Sequence, residues 1–254
     1  MPEIADGVAL EEVLIPAICF AACLGFQAWE FLGSHDDPAR ARSLFKSVRA
    51  GWVKDQYMKG TTGCNTTRDY IKSAVFMANT AITLATFTVG YAGTIYTDCS
   101  DDGTCTADDW MFVIKLGGLA TLLLTIFFVF TQCTRFAVHF SFCINTKELD
   151  GVPMSHGLLV NVFEHSHKYF SLGIRLYFGT IPVFAWIFSP WALLVITPLY
   201  IYMVRGLENA GFVKEEMQEA ARLREALHPA PGSFAGPVGP APGALEEGPS
   251  DKKL

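Results

Sequence analysis

A group of metal-ligating residue types lies in the second half of the chain: His156, Glu164, His165 and His167. On a helix, residues two apart point in different directions, so His165 and His167 make a poor chelating pair. A helical two-histidine site needs the i,i+4 spacing of H-E-x-x-H, and that motif is absent. The spacing therefore predicts no metal ligand in this group.

Other chemical signatures are equally sparse. Five aspartates occupy residues 97–109 without the spacing of a calcium loop, so a solvated acidic loop is the better interpretation: Asp98, Asp101, Asp102, Asp108 and Asp109. The sequence has no P-loop, GxSxG motif, dinucleotide fingerprint or haem ligand set. We expect no catalytic residue and no cofactor, and a membrane enzyme is only the third alternative for function.

The cysteines indicate one candidate covalent link. Cys99 and Cys105 bracket five residues of the acidic loop, which allows a small disulfide ring in an oxidising compartment. Two free thiols in a non-oxidising organelle are the alternative. Cys19 and Cys23 are four residues apart on one helix face and are best explained as small buried residues.

A few polar side chains fall at or near membrane depth, where ionisable groups often mark function. Lys115 lies near one end of an apolar block and is expected to reach the interface. Glu30 and Arg135 are expected at the same level at the opposite end, and we hypothesise that they form an ion pair. A structural clamp and an ion or proton path are the two roles considered for this pair.

Small residues recur at spacings of four and three in one segment, and they are Ala74, Ala78, Ala81, Ala85, Thr88 and Ala92. Helices in lipid associate through close packing of small residues, so this stripe predicts a helix–helix seam. The seam can lie within the bundle, between copies of the chain, or along a pore. A shorter stripe of Gly117, Thr121 and Thr125 is the candidate partner.

The elements that position these residues are apolar helices. Of the 254 residues, 51% are hydrophobic and 17% charged, and four stretches lack Asp, Glu, Lys and Arg entirely: residues 13–29, 73–97, 116–134 and 176–204. A helix needs about 20 apolar residues to cross the hydrocarbon core of a bilayer. This pattern excludes a soluble enzyme domain, a nucleic-acid binder and a secreted disulfide scaffold.

The predicted fold class is all-α, a polytopic membrane helix bundle of about four transmembrane helices with additional amphipathic cytosolic helices. The spans are predicted at residues 13–32, 73–96, 110–134 with the helix continuing to 144, and 176–204, within a bundle of residues 13–205. An acidic arm precedes it at 1–12. A helix at 206–227 and a disordered Pro/Gly-rich tail at 228–254 follow it.

Loop charges predict the orientation. Residues 33–72 hold eight basic residues, whereas 97–109 hold five aspartates and no basic residue. The positive-inside rule places the first loop in the cytosol and the second outside. Four spans put both termini outside, but a reversal at Pro190 returns the tail to the cytosol. The sequon at Asn65 lies in the loop assigned to the cytosol, and a glycan there would invert this topology.

The basic loop contains a predicted amphipathic helix. Asp37 is its N-cap, and Phe45, Val48 and Trp52 share one apolar face. Its basic residues are suited to anionic lipid headgroups at a membrane surface: Arg40, Arg42, Lys46, Arg49 and Lys54. Docking on the cytosolic end of the bundle is the alternative, and the two are compatible.

Short motifs recur in an order that resembles the domain of unknown function 599 family. They are Arg49-x-x-Trp52, Arg68-Asp69 before Met77–Leu84, Thr134-Arg135-Phe136, Ile144-Asn145-Thr146, Arg175–Phe178 and Trp186–Pro190. The resemblance covers roughly residues 14–209. It implies a multipass integral membrane protein with no established activity, and it carries no catalytic residue over to this chain.

Two functions remain for an integral membrane protein of this kind. One is a non-catalytic membrane component that assembles through a small-residue helix face, as a homo-oligomer or within a larger complex. The other is an oligomeric channel or carrier for a small solute or ion, with a path lined by Asn79, Thr83, Thr86 and Thr125. Four helices are few for a self-contained carrier, so transport would require several copies.

Overall fold

A computed structural model describes residues 10–33, 41–59, 61–102, 106–149 and 151–208, together with Glu219 and Arg222. The helices are α1 (Leu10–Gly33), α2 (Ala41–Gln56), α3 (Thr61–Asp102), α4 (Ala107–Cys143), α5 (His156–Phe188) and α6 (Pro190–Glu208). Between α4 and α5, β1 (Glu148–Leu149) pairs antiparallel with β2 (Val152–Pro153). The chain divides into two units, residues 1–211 and 212–254, and all these elements belong to the first.

The architecture is the predicted all-α membrane bundle. Four helices are long and apolar enough to cross a membrane, over Glu11–Trp29, Thr61–Ser100, Ala107–Cys143 and His156–Phe188. Large apolar side chains cover the outside of the bundle, and Leu24, Phe87 and Val195 are each about 70% exposed. Such an exterior suits lipid as the surrounding solvent rather than water.

Helix α4 sets the length of the bundle. It begins at a capping box, in which the Thr106 hydroxyl accepts from the Asp109 N–H and the Asp109 carboxylate accepts from the Thr106 N–H. Its 37 residues make it about 55 Å long, against a hydrocarbon core of roughly 30 Å. We call the end of the bundle at Thr106 the outer end, and the end that holds α2 the inner end.

The inner end has its own apolar cluster. Val53 of α2, Phe140 and Ile144 at the end of α4, and Leu159 of α5 are all buried against one another. The last part of α4 is thus packed with α2 and the start of α5, beyond the length that a bilayer covers. The amphipathic helix α2 therefore docks on the bundle, which was one of the two expectations for it.

The small-residue stripe lies inside the bundle, at the α3–α4 seam. Ala74, Ala78, Ala81 and Ala85 are buried, whereas Thr88 and Ala92 are half-buried. The five alanines pack in one cluster with large aliphatic residues of α4: Leu116, Leu119, Leu123 and Ile126. The expected partner stripe of Gly117, Thr121 and Thr125 is wrong, because these residues are exposed. Small residues on one helix leave room for large ones on the other, so a second small stripe is unnecessary.

The segment predicted as a single fourth span, residues 176–204, forms two helices. Helix α5 ends at Phe188, Ser189 is extended with φ −167° and ψ 142°, and α6 begins at Pro190. Proline disfavours helical geometry in the preceding residue and has no N–H to donate, so the chain turns here. Phe178 and Tyr200 line the same crevice, so α6 runs back antiparallel along α5.

This reversal determines at which end of the bundle helix α6 ends. Helix α6 has 19 residues, about 28 Å, and its last turn lies at the inner end, where the Arg205 guanidinium is 5.9 Å from the Trp29 ring. The predicted helix at 206–227 is described only to Glu208 and at Glu219 and Arg222, which are helical. Most of the acidic arm at 1–12 and the tail at 228–254 lie outside the described residues.

Candidate functional sites at the helix junctions

The ion pair between Arg49 and Glu164 joins α2 to α5. The Arg49 Nε donates to Glu164 Oε1 at 2.8 Å and Nη2 donates to Oε2 at 3.2 Å, with only 15% and 11% of the two side chains exposed. The Trp52 ring lies against Phe163 and Phe140, at 5.6 and 6.3 Å between centroids. A two-pronged guanidinium–carboxylate contact beside an aromatic cluster fixes the orientation of α2.

The prediction that Arg49 lies on the membrane surface is therefore wrong, since its charge is neutralised inside the protein. Lys46 and Lys54 are exposed, and their contact with a membrane surface stays a prediction. Arg40 and the side chain of Arg42 lie outside the described residues. Phe45 and Val48 remain exposed on the first half of α2. Docking thus involves the second half of α2 and leaves part of its apolar face uncovered.

Asp55 and Lys59 form a second, exposed ion pair at the end of α2. The hydrogen bond and the charge of Lys59 lower the pKa of the Asp55 carboxyl. Both side chains are more than half exposed, so this pair is a surface feature with little effect on stability.

Three helices meet at a buried polar cluster. The Tyr70 hydroxyl of α3 is 3.3 Å from the Cys133 thiol of α4, and the Ser166 hydroxyl of α5 donates to the Cys133 carbonyl at 2.9 Å. Ser166 and Cys133 are fully buried. In the described part of the chain, no carboxylate or imidazole hydrogen-bonds to these three side chains. The cluster thus has a thiol and two hydroxyls but no general base.

A second polar cluster links α1 to the α5–α6 hairpin. The Gln27 amide donates to the Tyr200 hydroxyl at 2.6 Å, and the Arg175 guanidinium donates to the Gln27 amide oxygen at 3.4 Å. Glu30 lies one turn further along α1, but its side chain is outside the described residues. Arg135 is exposed on α4. The hypothesis of a Glu30–Arg135 ion pair is therefore untested.

At the outer end, Lys115 is buried rather than extended to the interface. Its ammonium donates to Glu12 at 2.9 Å and lies 5.7 Å from the centroid of the Trp186 ring, with 8% of its side chain exposed. The Phe20 and Trp186 rings are nearly perpendicular, with 5.3 Å between their centroids. The expectation of a snorkelling Lys115 is wrong, because a carboxylate and an aromatic face satisfy the charge inside the bundle.

The remaining candidates from the sequence do not converge. Among the described residues, no three His, Cys, Asp or Glu side chains come close enough to hold a metal ion. His165 forms a hydrogen bond with the Asn161 carbonyl of its own helix through Nδ1, at 2.9 Å. Cys105 lies outside the described residues, so the disulfide with Cys99 stays a prediction. Cys19 and Cys23 are buried free thiols, as expected.

The proposed path residues lie on the outside of the bundle. Asn79, Thr83, Thr86 and Thr125 are all exposed. The hydroxyls of Thr86 and Thr125 donate to carbonyls of their own helices, at 2.9 and 2.8 Å. The described part of a single chain therefore has no internal path lined by these four side chains.

A family model for proteins of unknown function, DUF599, matches residues 14–211. The chain belongs to this family. No curated protein and no solved structure matches it. Family membership fits the helix bundle, and the residues that carried the resemblance now have structural positions. Arg49 and Trp52 dock α2, and Arg175 contacts α1.

Sequence reasoning missed two residues of these sites: Glu164, which pairs with Arg49, and Tyr70, which contacts Cys133. Glu164 is the single acidic residue of α5, and an isolated acid on a helix next to a basic segment was an available signal for an ion pair. Tyr70 and Ser166 gave no such signal. They are 96 residues apart, and only the packing of three helices brings them together.

Proposed function

We propose that this protein is a non-catalytic integral membrane component that self-associates through a second small-residue face of α3. The face consists of Asn79, Thr83, Thr86, Gly90 and Gly93, spaced four, three, four and three apart, and all are exposed. We call it the outer α3 face. The alanine stripe cannot serve, because α4 already covers it.

Asn79 carries the proposal. It lies within the uncharged block 73–97, its side chain is exposed, and its amide has no hydrogen-bond partner among the described residues. A primary amide facing hydrocarbon is costly, and the same amide from a second copy can both donate and accept. Interhelical hydrogen bonds of this kind contribute about 0.6–2 kcal/mol in membranes.

The glycines support a close approach of two α3 helices. A Cβ added at Gly90 or Gly93 would meet nothing within 4 Å in the described chain, so no intramolecular neighbour requires glycine there. Two glycines inside a helix reduce its intrinsic stability by about 1 kcal/mol each relative to alanine. Close contact between backbones of two copies would offset this cost.

The test compares Gly90→Leu with Gly118→Leu in the full chain reconstituted in nanodiscs or vesicles. Both glycines are exposed helix positions with nothing within 4 Å, and Gly118 lies on α4. Fluorescence energy transfer between labelled copies should fall for Gly90→Leu and Asn79→Leu but not for Gly118→Leu. Equal transfer in all three variants, or a strictly monomeric wild-type protein, would overturn the proposal.

An oligomeric channel or carrier is the second candidate. Asn79, Thr83 and Thr86 belong to the outer α3 face, so association of several copies would bring these polar side chains together. Ion and solute flux into proteoliposomes tests it directly. Flux that depends on Asn79 favours transport, whereas self-association without flux favours the component.

We also propose that Cys99 and Cys105 form a disulfide in the outer loop. Their separation closes a short ring, and Cys99 lies at the end of α3, away from the inner end. Alkylation of the purified protein with and without a reductant tests the pairing. Both cysteines should react only after reduction, and reaction of both without reductant would disprove the link.

A further inference from the structure

The α4–α5 pair carries an exposed basic surface at the inner end. We define the α4–α5 flank as Arg135 and Phe136 of α4 with His165, Lys168 and Tyr169 of α5. The Phe136 ring stacks on Tyr169 at 5.5 Å and an interplanar angle of 10°, and it lies 5.9 Å from the His165 ring. These contacts bring the two helix segments, and the cations next to the stacked rings, to one side of the bundle.

The cations of this flank are not neutralised by the described part of the protein. Arg135 and Lys168 are exposed, and neither has an ion pair or a side-chain hydrogen bond with another described residue. The sequence has no acidic residue from 110 to 147. The acid of α5, Glu164, is already bonded to Arg49 of α2. The flank is therefore complementary to an anion supplied from outside.

The level of the flank suits a lipid headgroup. Arg135 directly follows the uncharged block 116–134, whose 19 residues span about 28 Å and nearly fill the hydrocarbon core. Phe136 and Tyr169 are half-buried, and tyrosine is enriched at the membrane–water interface. Basic surfaces between transmembrane helices on the cytoplasmic side bind acidic headgroups.

We propose that the α4–α5 flank binds the headgroup of an anionic phospholipid. The phosphate lies between the Arg135 guanidinium and the Lys168 ammonium. The Phe136–Tyr169 stack supports the glycerol end of the acyl chains. This site differs from the basic residues of α2 and holds whether or not the protein self-associates.

Native mass spectrometry of the full chain in mild detergent, titrated with phosphatidylglycerol, tests the proposal. The test variant is Arg135→Gln/Lys168→Gln, and the matched control is Arg68→Gln/Lys147→Gln, which also removes one exposed arginine and one exposed lysine. Each basic residue near an anionic surface contributes a factor of about five in affinity. We therefore expect about 25-fold weaker binding for the test variant, and little change for the control.

The proposal would be overturned by equal weakening in both double variants or by no weakening in either. Equally tight binding of phosphatidylcholine, or displacement of the lipid by inorganic phosphate at the same concentration, would overturn it too. Tighter binding by Glu30→Gln would show that Glu30 already neutralises Arg135, and would also overturn it. Arg135→Lys/Lys168→Arg keeps both charges and should keep the lipid. If that variant also lost the lipid, the positive charges would not be what binds the headgroup.

Discussion

Two residues show how single side chains hold this bundle together. Arg49 was expected at a lipid surface but is neutralised by Glu164, and Gly173 is a glycine because the Phe130 ring occupies the place of a side chain. A Cβ at Gly173 would lie 2.7 Å from Phe130 Cζ, and Phe130 is fully buried. Charge and space at these positions are both set by a neighbouring helix.

We expect Glu164→Gln to lower the free energy of unfolding by about 1–3 kcal/mol, because it leaves the guanidinium of Arg49 in a mostly buried site. Thermal unfolding in detergent measures the effect. Lys54→Gln, on the exposed side of α2, is the control and should change little. A double-mutant cycle with Arg49→Gln should give a clear coupling energy, and strictly additive effects would contradict the ion pair.

Gly173→Ala is expected to destabilise the protein by about 1–3 kcal/mol, because the added methyl group would overlap the fully buried Phe130 ring. Gly118→Ala provides the matched control, since nothing lies within 4 Å of its position, and it should be neutral or stabilising. The unfolding temperatures of the two variants in the same detergent decide the question. Equal temperatures would show that Phe130 does not restrict this site.

At the scale of helices, the α3–α4 seam joins small residues to large ones. Ala81 is fully buried opposite the aliphatic face of α4. Ala81→Leu should therefore overpack the seam and cost about 1–3 kcal/mol or more. Thr121→Leu, at an exposed position of α4, should cost far less, as thermal unfolding would measure. If both substitutions were tolerated equally, the seam would not be closely packed.

The helices themselves were largely predictable, because hydrophobic blocks and small-residue spacing are local properties of the sequence. The stripe of small residues was visible in the sequence, and its alanines pack at the α3–α4 seam. The partner of the stripe was not visible, since which face of α4 turns inwards depends on packing with α5 as well. The break at Pro190 was visible, but whether the chain kinks or reverses there depends on contacts such as Phe178 with Tyr200.

The candidate sites were much less predictable than the helices. Arg175, Gln27 and Tyr200 come from three helices, and no spacing in the sequence indicates that they meet. Lys115 was expected to reach the interface because sequence alone cannot show that Glu12 is within 2.9 Å. Side-chain partners across long stretches of sequence are set by tertiary packing, and local patterns contain little of that information.

For the whole molecule, the reversal at Ser189 predicts the side of the membrane on which helix α6 ends. If α1, α3, α4, α5 and α6 all cross the bilayer, the end of α6 lies on the same side as α2, and Thr106 lies on the other. Single cysteines at Lys54, Thr106 and Gly206, in a cysteine-free background, should show this in sealed vesicles. An impermeant maleimide should label Lys54→Cys and Gly206→Cys from one side only and Thr106→Cys from the opposite side.

Labelling of Lys54→Cys and Gly206→Cys from opposite sides would mean that α6 does not return. Solubilised protein, in which all three cysteines should react, controls for poor reactivity of any single position. The result also fixes the sidedness of the Asn65 sequon, because that residue follows α2 directly at the start of α3.

The lengths of α3 and α4 have a consequence for the kind of membrane that accepts this protein. With 42 and 37 residues, both helices are far longer than the hydrocarbon core and continue into a packed region at the inner end. The uncharged stretch of α3, residues 73–97, is about 37 Å long and can cover a thicker bilayer, whereas α6, with 19 residues, has no such reserve. Hydrophobic mismatch should therefore act on the α5–α6 hairpin first, and lipid thickness should shift its tilt more than that of α3.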